Sequence, residues 1–145
     1  MIGPHGSPYP PPTDGSPYYG NGVAAGHFAP DTALSTWNSS TMSGLLNTAH
    51  AANTKVVLTI VLQDFSSGTP YMCAGLKART ETVTQTIAEV VAKGVDGVNV
   101  DYEGLGGSCA NSENPRADMT ALLRQLRNAP PAAPRSLSVD PHATP

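Results

Sequence analysis

The sequence predicts an α/β fold with a parallel sheet. Apolar, β-branched segments alternate with amphipathic helical segments in the order strand, helix, strand, helix, strand, helix, strand. Repeated strand–helix units of this kind give parallel strands joined by right-handed crossovers. A barrel and an open doubly wound sheet both fit this order. No GxGxxG or Walker-type glycine-rich loop follows a strand, which disfavours a nucleotide-binding version of the fold.

The beginning of the chain differs in composition from the rest. It is rich in Pro, Gly, Ser and Tyr, which bury little apolar surface and do not favour regular hydrogen bonding. We predict that residues 1–21 are a linker or disordered, and that a folded domain spans residues 22–145. The alternative is an interaction segment that docks through Tyr9, Tyr18 and Tyr19.

Four segments of the domain have the character of strands. Residues 23–28 are a weak strand candidate. Residues 55–62 are a nearly continuous, β-branched apolar run, which is typical of a strand covered on both faces. Residues 95–103 are a second buried strand, and residues 136–139 are a short final strand. We predict a loop over residues 63–75.

Three segments have the apolar spacing of helices. The first begins at Ser40. Its apolar face consists of Met42, Leu45, Leu46 and Ala49. The second covers residues 80–93 and ends at Gly94, since glycine favours the left-handed conformation that closes a helix. Asn114 caps the third, with Pro115 at its first position.

The composition limits the classes of partner. The chain has 145 residues, a formal net charge of -3 and only eight Lys and Arg residues, which are scattered. Without a basic stripe or a polybasic run, we predict neither a nucleic-acid partner nor a membrane partner, and a neutral substrate fits best. No apolar stretch has the length of a membrane span, and the first residues do not begin a secretory signal peptide. The four histidines have no metal-binding spacing, so we predict no metal site.

The two cysteines, Cys73 and Cys109, have neither zinc-ribbon nor redox spacing. A disulfide between them and two buried free thiols are both compatible with the sequence. Each cysteine falls just after one of two successive strands, and the carboxyl ends of parallel strands lie at one end of a sheet. A disulfide would therefore join the two loops at that end and would imply an extracellular protein.

Polar side chains are aligned on one face of the strand at residues 95–103. Because strand residues alternate between faces, Asn99, Asp101 and Glu103 point one way, whereas Tyr102 points the other. Buried carboxylates cost free energy unless they are paired or hydrogen-bonded, so packing of the strand does not explain why Asp and Glu occupy these positions. Ligands bind at the C-terminal strand ends of parallel α/β folds, which predicts a functional site here. The alternative is that these acids cap neighbouring loops or hold a cation.

The stretch DGVNVDYE at residues 96–103 resembles the DGxDxDxE signature on the fourth barrel strand of family 18 glycoside hydrolases. The resemblance extends over residues 22–140 and is closest to the bacterial chitinase and spore-lytic glucosaminidase branch. It implies a partial (β/α)8 TIM barrel of about four parallel strands with intervening helices. The barrel would be partial because a complete one has roughly 250 residues.

The resemblance also implies roles for the site residues. Glu103 would be the general acid that protonates the glycosidic oxygen, and then the base that activates water. Asp101 would orient the substrate's 2-acetamido group, whose carbonyl oxygen attacks the anomeric carbon. Tyr102 and Gln63 would contact the substrate. Asn99 occupies the third catalytic position, where many relatives have Asp. Because a neutral Asn removes that like charge, we expect Asp101 to ionise more readily here than in those relatives.

Two further acids, Asp64 and Asp96, lie at the end of one predicted strand and at the beginning of the next. Asp64 belongs to TIVLQDF at residues 59–65, where the third strand of the family often ends in SxGG. Gln63 and Asp64 are candidates to replace those contacts, and a role in the loop is the alternative. Asp96 begins its strand and is off the inward parity, so we predict that it forms structural hydrogen bonds.

The expected function is that of a secreted glycosidase. It would hydrolyse chitin-like polymers of β-1,4-linked N-acetylglucosamine by a retaining, substrate-assisted mechanism, without cofactor or metal. One alternative is a catalytically weak or inactive carbohydrate-binding relative. Another is a truncated fragment, in which the open barrel edge would favour self-association.

Overall fold

The structure, a computed structural model, describes residues 18–19, 23–24, 26–28, 32–64, 71–104, 114–129 and 136–140. The strands in these ranges are β1 (Tyr18–Tyr19), β2 (Val23–Ala24), β3 (Val57–Asp64), β4 (Gly97–Gly104) and β5 (Ser136–Val139). The helices are α1 (Thr32–Trp37), α2 (Ser40–Ala51), α3 (Tyr71–Lys77), α4 (Arg79–Lys93) and α5 (Pro115–Asn128).

The centre of the fold is a three-stranded parallel sheet with the strand order β3–β4–β5. Helices α3 and α4 connect β3 to β4, and α5 connects β4 to β5. In the register of the sheet, Val57 pairs with Gly97, and Gly97 pairs in turn with Ser136. The predicted α/β class and the predicted parallel sheet are confirmed.

The predicted first strand does not join this sheet. Among the described residues of that segment, only Val23–Ala24 form a strand, and β2 pairs antiparallel with β1. A turn follows at Gly26, whose φ of +84° interrupts an extended strand. The described parallel sheet therefore has three strands rather than about four. Strand β1 falls within the segment predicted as linker, so that segment contains two strand residues; most of the segment lies outside the described residues.

The predicted helices are confirmed, with caps close to the expected positions. Ser39, rather than Ser40, is the N-cap of α2, and its side chain accepts a backbone N–H from the first turn. Gly94 ends α4 in the left-handed conformation, with a φ of +66°. The side-chain oxygen of Asn114 accepts a hydrogen bond from the backbone N–H of Ala117 at 3.1 Å and so begins α5.

Two short helices were not predicted from the sequence. One is α1, which buries Trp37 and is tied to α4 by a 2.7 Å hydrogen bond from its indole N–H to Glu89. The other is α3, which lies in the segment predicted as a loop. The carboxylate of Asp64, at the end of β3, accepts the backbone N–H of Met72 at 2.9 Å. This contact satisfies a donor in the first turn of α3, as an N-cap would.

The hydrophobic core lies on one face of the parallel sheet. The sheet contributes Leu58, Ile60, Leu62, Val98, Val100 and Tyr102 to it. The helices contribute Trp37, Leu46, Met72, Leu76, Val90, Leu122 and Leu126. These strand residues occupy alternate positions, as a sheet covered by helices on that face requires. In the described part of the chain, no helix has both the length and the hydropathy needed to cross a bilayer.

Asp96 is a structural residue, as predicted. Its Oδ2 accepts the backbone N–H of Val56 at 3.0 Å and lies 3.0 Å from Nε2 of His50. The Asp96 carboxylate therefore ties the end of α2 to the segments that lead into β3 and β4. This contact lies at the N-terminal end of the sheet, away from the end at which parallel sheets bind ligands.

Candidate active site

The candidate site lies on the face of the sheet opposite the hydrophobic core. Asn99, Asp101 and Glu103 alternate along β4 with residues of the core and therefore share this face, as strand alternation predicted. Asn99 is 9% exposed, whereas Asp101 and Glu103 are half-buried. The accessible carboxyl groups thus lie in the C-terminal half of the central strand, toward the end where parallel sheets bind ligands.

Strand β3 places Gln63 beside this row. In the parallel register, Val61 pairs with Asp101 and Gln63 pairs with Glu103. Gln63 is exposed and is the seventh residue of β3, so the predicted loop position is wrong. The predicted contact of Gln63 with substrate remains a prediction, and its position next to Glu103 is compatible with it. Asp64, one residue further on, is 3% exposed on the core side.

Strand β5 contributes an acid that was not predicted as a site residue. Asp140 directly follows β5, and its backbone N–H donates to the carbonyl oxygen of Val100 at 3.0 Å. Ser138 pairs with Asn99, so Ser138 and Asp140, two residues apart, face the candidate site. The sequence indicates the orientation of Asp140, because it lies two residues after Ser138, at the C-terminal end of the last strand, and residues two apart on a strand share a face.

The side chain of Asn99 is hydrogen-bonded to β5 at both ends of its amide. Its Nδ2 donates to Oδ2 of Asp140 at 2.8 Å, and its Oδ1 accepts from the Ser138 hydroxyl at 2.7 Å. Because an ionised carboxylate only accepts hydrogen bonds, Asp140 fixes which end of the amide faces it. Asn99 therefore couples β4 to β5, and its amide N–H group is directed to Asp140.

Asp101 holds its proton more strongly than an ordinary Asp. Burial is the largest cause that raises the pKa of Asp101, and the negative charges of Glu103 and Asp140 raise it further. The expectation that Asp101 ionises more readily beside Asn99 than beside an Asp at position 99 stays a prediction, because these causes all act with Asn99 in place. The like charge missing from position 99 is supplied by Asp140, on the neighbouring strand.

Replacing Asn99 by Asp is expected to lower the free energy of unfolding at neutral pH by about 1–3 kcal/mol. The new carboxylate would face Asp140 across a contact that is now a 2.8 Å hydrogen bond. That repulsion would raise the pKa of the new carboxyl in the folded chain above its unfolded value of about 3.9. Stability relative to wild type should therefore be lost as the pH rises from the unfolded pKa through the folded pKa.

Denaturant unfolding of wild type and Asn99→Asp, at about pH 3.5 and about pH 7, measures this effect. We expect the difference between the two proteins to be larger at the higher pH. A difference that is the same at both pH values would show that the substitution acts through packing rather than through charge.

Tyr102 lies on the core side of β4 and is 6% exposed. Burial raises the pKa of Tyr102 to about 12, and the neighbouring Thr82 hydroxyl offsets this rise in part. Within the described residues, however, the phenol oxygen has no partner at full hydrogen-bonding geometry, so the Thr82 contact is weak. The predicted contact of Tyr102 with substrate is not supported, because its side chain packs under the helices.

Cys73 is disulfide-bonded, which decides between the two alternatives left open by the sequence. It is 5% exposed within α3, the helix that contacts both β3 and β4. The other cysteine of the sequence, Cys109, lies outside the described residues. The disulfide and the Asp64 carboxylate both act on α3, the helix that follows the C-terminal end of β3.

The chemistry available on this face is that of carboxyl groups. Asp101 and Glu103 lie two residues apart on one strand, and the pKa of Asp101 is raised by burial and by its acidic neighbours, as is common for carboxyl groups in functional sites. In the ranges described, no cluster of three or more His, Cys, Asp or Glu side chains is arranged to hold a metal ion. Comparison of the chain with protein-family models, curated proteins and solved structures finds no match.

Proposed function

We propose that this chain carries the acid–base residues of a glycosidase similar to family 18 glycoside hydrolases. Its substrate would be a polymer of β-1,4-linked N-acetylglucosamine, and the enzyme would be secreted. The observation that carries the proposal is the shared orientation of Asp101 and Glu103, away from the core and toward the C-terminal end of a central parallel strand. The DGVNVDYE sequence that contains them adds the resemblance to the family signature.

In the first step, the carboxylic acid of Glu103 donates its proton to the glycosidic oxygen as the bond from that oxygen to C1 breaks. The carbonyl oxygen of the substrate's own 2-acetamido group forms the new bond to C1 and gives an oxazolinium ion. Ionised Asp101 accepts a hydrogen bond from the acetamido N–H and offsets the positive charge. The leaving sugar departs as an alcohol.

In the second step, the Glu103 carboxylate removes a proton from water as the water oxygen attacks C1. The bond between C1 and the acetamido oxygen breaks, the amide is restored and Glu103 is protonated again. Two inversions at C1 give net retention of configuration. Because Asp101 acts in its ionised form, its raised pKa predicts that the rate falls on the acid side of the pH profile at a higher pH than an ordinary Asp would give.

We also propose that the three parallel strands form part of a (β/α) barrel. The sheet has one face covered by helices and a second face that carries polar side chains, and in a barrel this second face would line the interior. Strand order β3–β4–β5 follows the chain, as it does in a barrel, whereas doubly wound sheets reverse direction at a switch point.

The test compares two fluorogenic substrates that differ only at the 2-position of the sugar. A β-linked di-N-acetylchitobioside supplies the acetamido nucleophile, and the matching cellobioside has a hydroxyl there. We expect the purified chain to hydrolyse the first and not the second, with the β-anomer as initial product by NMR. Hydrolysis of both substrates would exclude substrate assistance. Hydrolysis of neither, together with measurable binding of chitin oligosaccharides, would favour the carbohydrate-binding alternative.

A further inference from the structure

Asp140 stands out among the residues that the proposed mechanism does not use. It is an exposed acid at the C-terminal end of β5, yet its carboxylate is held by a 2.8 Å hydrogen bond from a nearly buried amide, Asn99. Its backbone is held as well, by the hydrogen bond from its N–H to Val100. Both the main chain and the side chain of Asp140 are hydrogen-bonded, so the position of this carboxylate is well defined.

The register brings Asp140 next to Asp101. Asn99 pairs with Ser138 and Val100 pairs with Val139, so the residues that come next are Asp101 in β4 and Asp140, directly after β5. Adjacent strands are about 4.8 Å apart, and these two side chains point to the same face. Like charges on neighbouring strands are unfavourable, so the Asp140 carboxylate opposes ionisation of Asp101.

The remaining neighbours of Asp101 on this face do not cancel that charge. Glu103, on the same strand, is a second acid. Strand β3 presents Val61 and Gln63, neither of which is charged. No Lys, Arg or His occurs at the described strand positions of this face. The charges that face Asp101 from the three strands are therefore all negative.

We propose that Asp140 is a positioning residue of the candidate site, which fixes the amide of Asn99 and places a second negative charge beside Asp101. This inference rests on the proposed function for its catalytic consequence. Together with burial and Glu103, the Asp140 charge favours the protonated form of Asp101 and so moves the acid limb of the rate profile to higher pH. In this chain the partner acid of Asp101 is thus supplied by β5 rather than by position 99 of β4.

The decisive experiment is an NMR titration of the Asp101 carboxyl carbon in protein labelled with ¹³C-aspartate, which needs no substrate. The resonance is assigned by its loss in Asp101→Asn. Asp140→Asn removes the charge but keeps an oxygen that can accept from Asn99, and Ser138→Ala removes the other hydrogen bond of Asn99 but keeps the charge. We expect the pKa of Asp101 to fall toward that of an ordinary Asp in Asp140→Asn and to stay unchanged in Ser138→Ala.

Asp140→Ala separates the two parts of the proposal. It removes both charge and acceptor, so the pKa of Asp101 should fall and the side-chain amide protons of Asn99 should exchange faster with solvent, whereas Asp140→Asn should affect only the pKa. An Asp101 pKa that is unchanged in both Asp140 variants would overturn the proposal, as would an equal fall in Ser138→Ala. Because Asp140 is exposed, both variants should fold, and a failure to fold would assign Asp140 to stability instead.

The activity measurement is kept separate from the titration. With the chitobioside substrate, the acid limb of kcat/KM should move to lower pH in Asp140→Asn, in parallel with the pKa of Asp101. If the chain hydrolyses no glycoside, the proposed function fails while the titration still decides the role of Asp140. If hydrolysis occurs and the acid limb does not move, the positioning role is wrong and the glycosidase proposal stands.

Discussion

Replacement of Glu103 by Gln is expected to lower kcat/KM on the chitobioside substrate by about 10²–10⁴-fold, because the variant has no proton to give the leaving oxygen. Gln has the same shape as Glu, and Glu103 is half-buried on the site face, so the fold should persist. The matched control is Glu81→Gln, which makes the same chemical change on α4, where Glu81 contacts Gln85 and His27. The control should retain wild-type kcat/KM.

The leaving group of the substrate separates loss of acid catalysis from a distorted site. A dinitrophenol leaving group departs as a stable anion and needs little protonation, so Glu103→Gln should lose much less activity on that substrate than on one with a sugar leaving group. An equal loss on both substrates would indicate that the substitution disturbs binding or structure. Full activity of Glu103→Gln on both would remove Glu103 as the general acid.

Replacement of Gly97 by Ala should have the largest effect on stability, with a loss of about 3 kcal/mol in the free energy of unfolding. A Cβ at this position would meet the hydroxyl of Ser136 and would lie 2.5 Å from the Ser136 carbonyl oxygen. The hydroxyl can rotate away, but the carbonyl belongs to the backbone of β5 and cannot. The sheet must therefore open between β4 and β5, which also carry the Asn99–Asp140 hydrogen bond.

Gly44→Ala is the control for this experiment. Gly44 lies within α2, and a Cβ there meets no atom within 4 Å. Alanine is the better helix former, so this variant should be more stable than wild type by about 0.5–1 kcal/mol. Denaturant unfolding of both variants measures the two changes, which should have opposite signs. A Gly97→Ala protein as stable as wild type would mean that β5 is free to move away from β4.

The elements that were predicted correctly are those that residues within or next to the element itself indicate. The helix that ends at Gly94 and the helix that begins at Asn114 carry their own caps, and the two long strands are continuous apolar runs. Helix α3 was missed because its first turn is capped by Asp64, which reaches it across a segment of the chain. A local pattern cannot show such a contact. Similarly, the separate pairing of β2 depends on its partner β1 rather than on its own sequence.

The candidate site shows the same division between local and distant contacts. The common face of Asn99, Asp101 and Glu103 follows from strand alternation alone, and it was predicted. Alternation also places Tyr102 on the core side, so assigning it a substrate contact conflicted with the pattern that identified the site. Asp140 was missed because its place beside Asp101 depends on the register between β4 and β5, which no single-strand pattern specifies.

Strand β5 has four residues and, among the described strands, pairs with β4 alone. The backbone N–H and C=O groups along its outer edge therefore point away from β4. Asp140 directly follows this strand. A strand that adds to this edge, from the same chain or from another, would contact the carboxylate that faces Asp101. Edge pairing and ligand binding would then be thermodynamically linked, so that each changes the affinity of the other by the same factor.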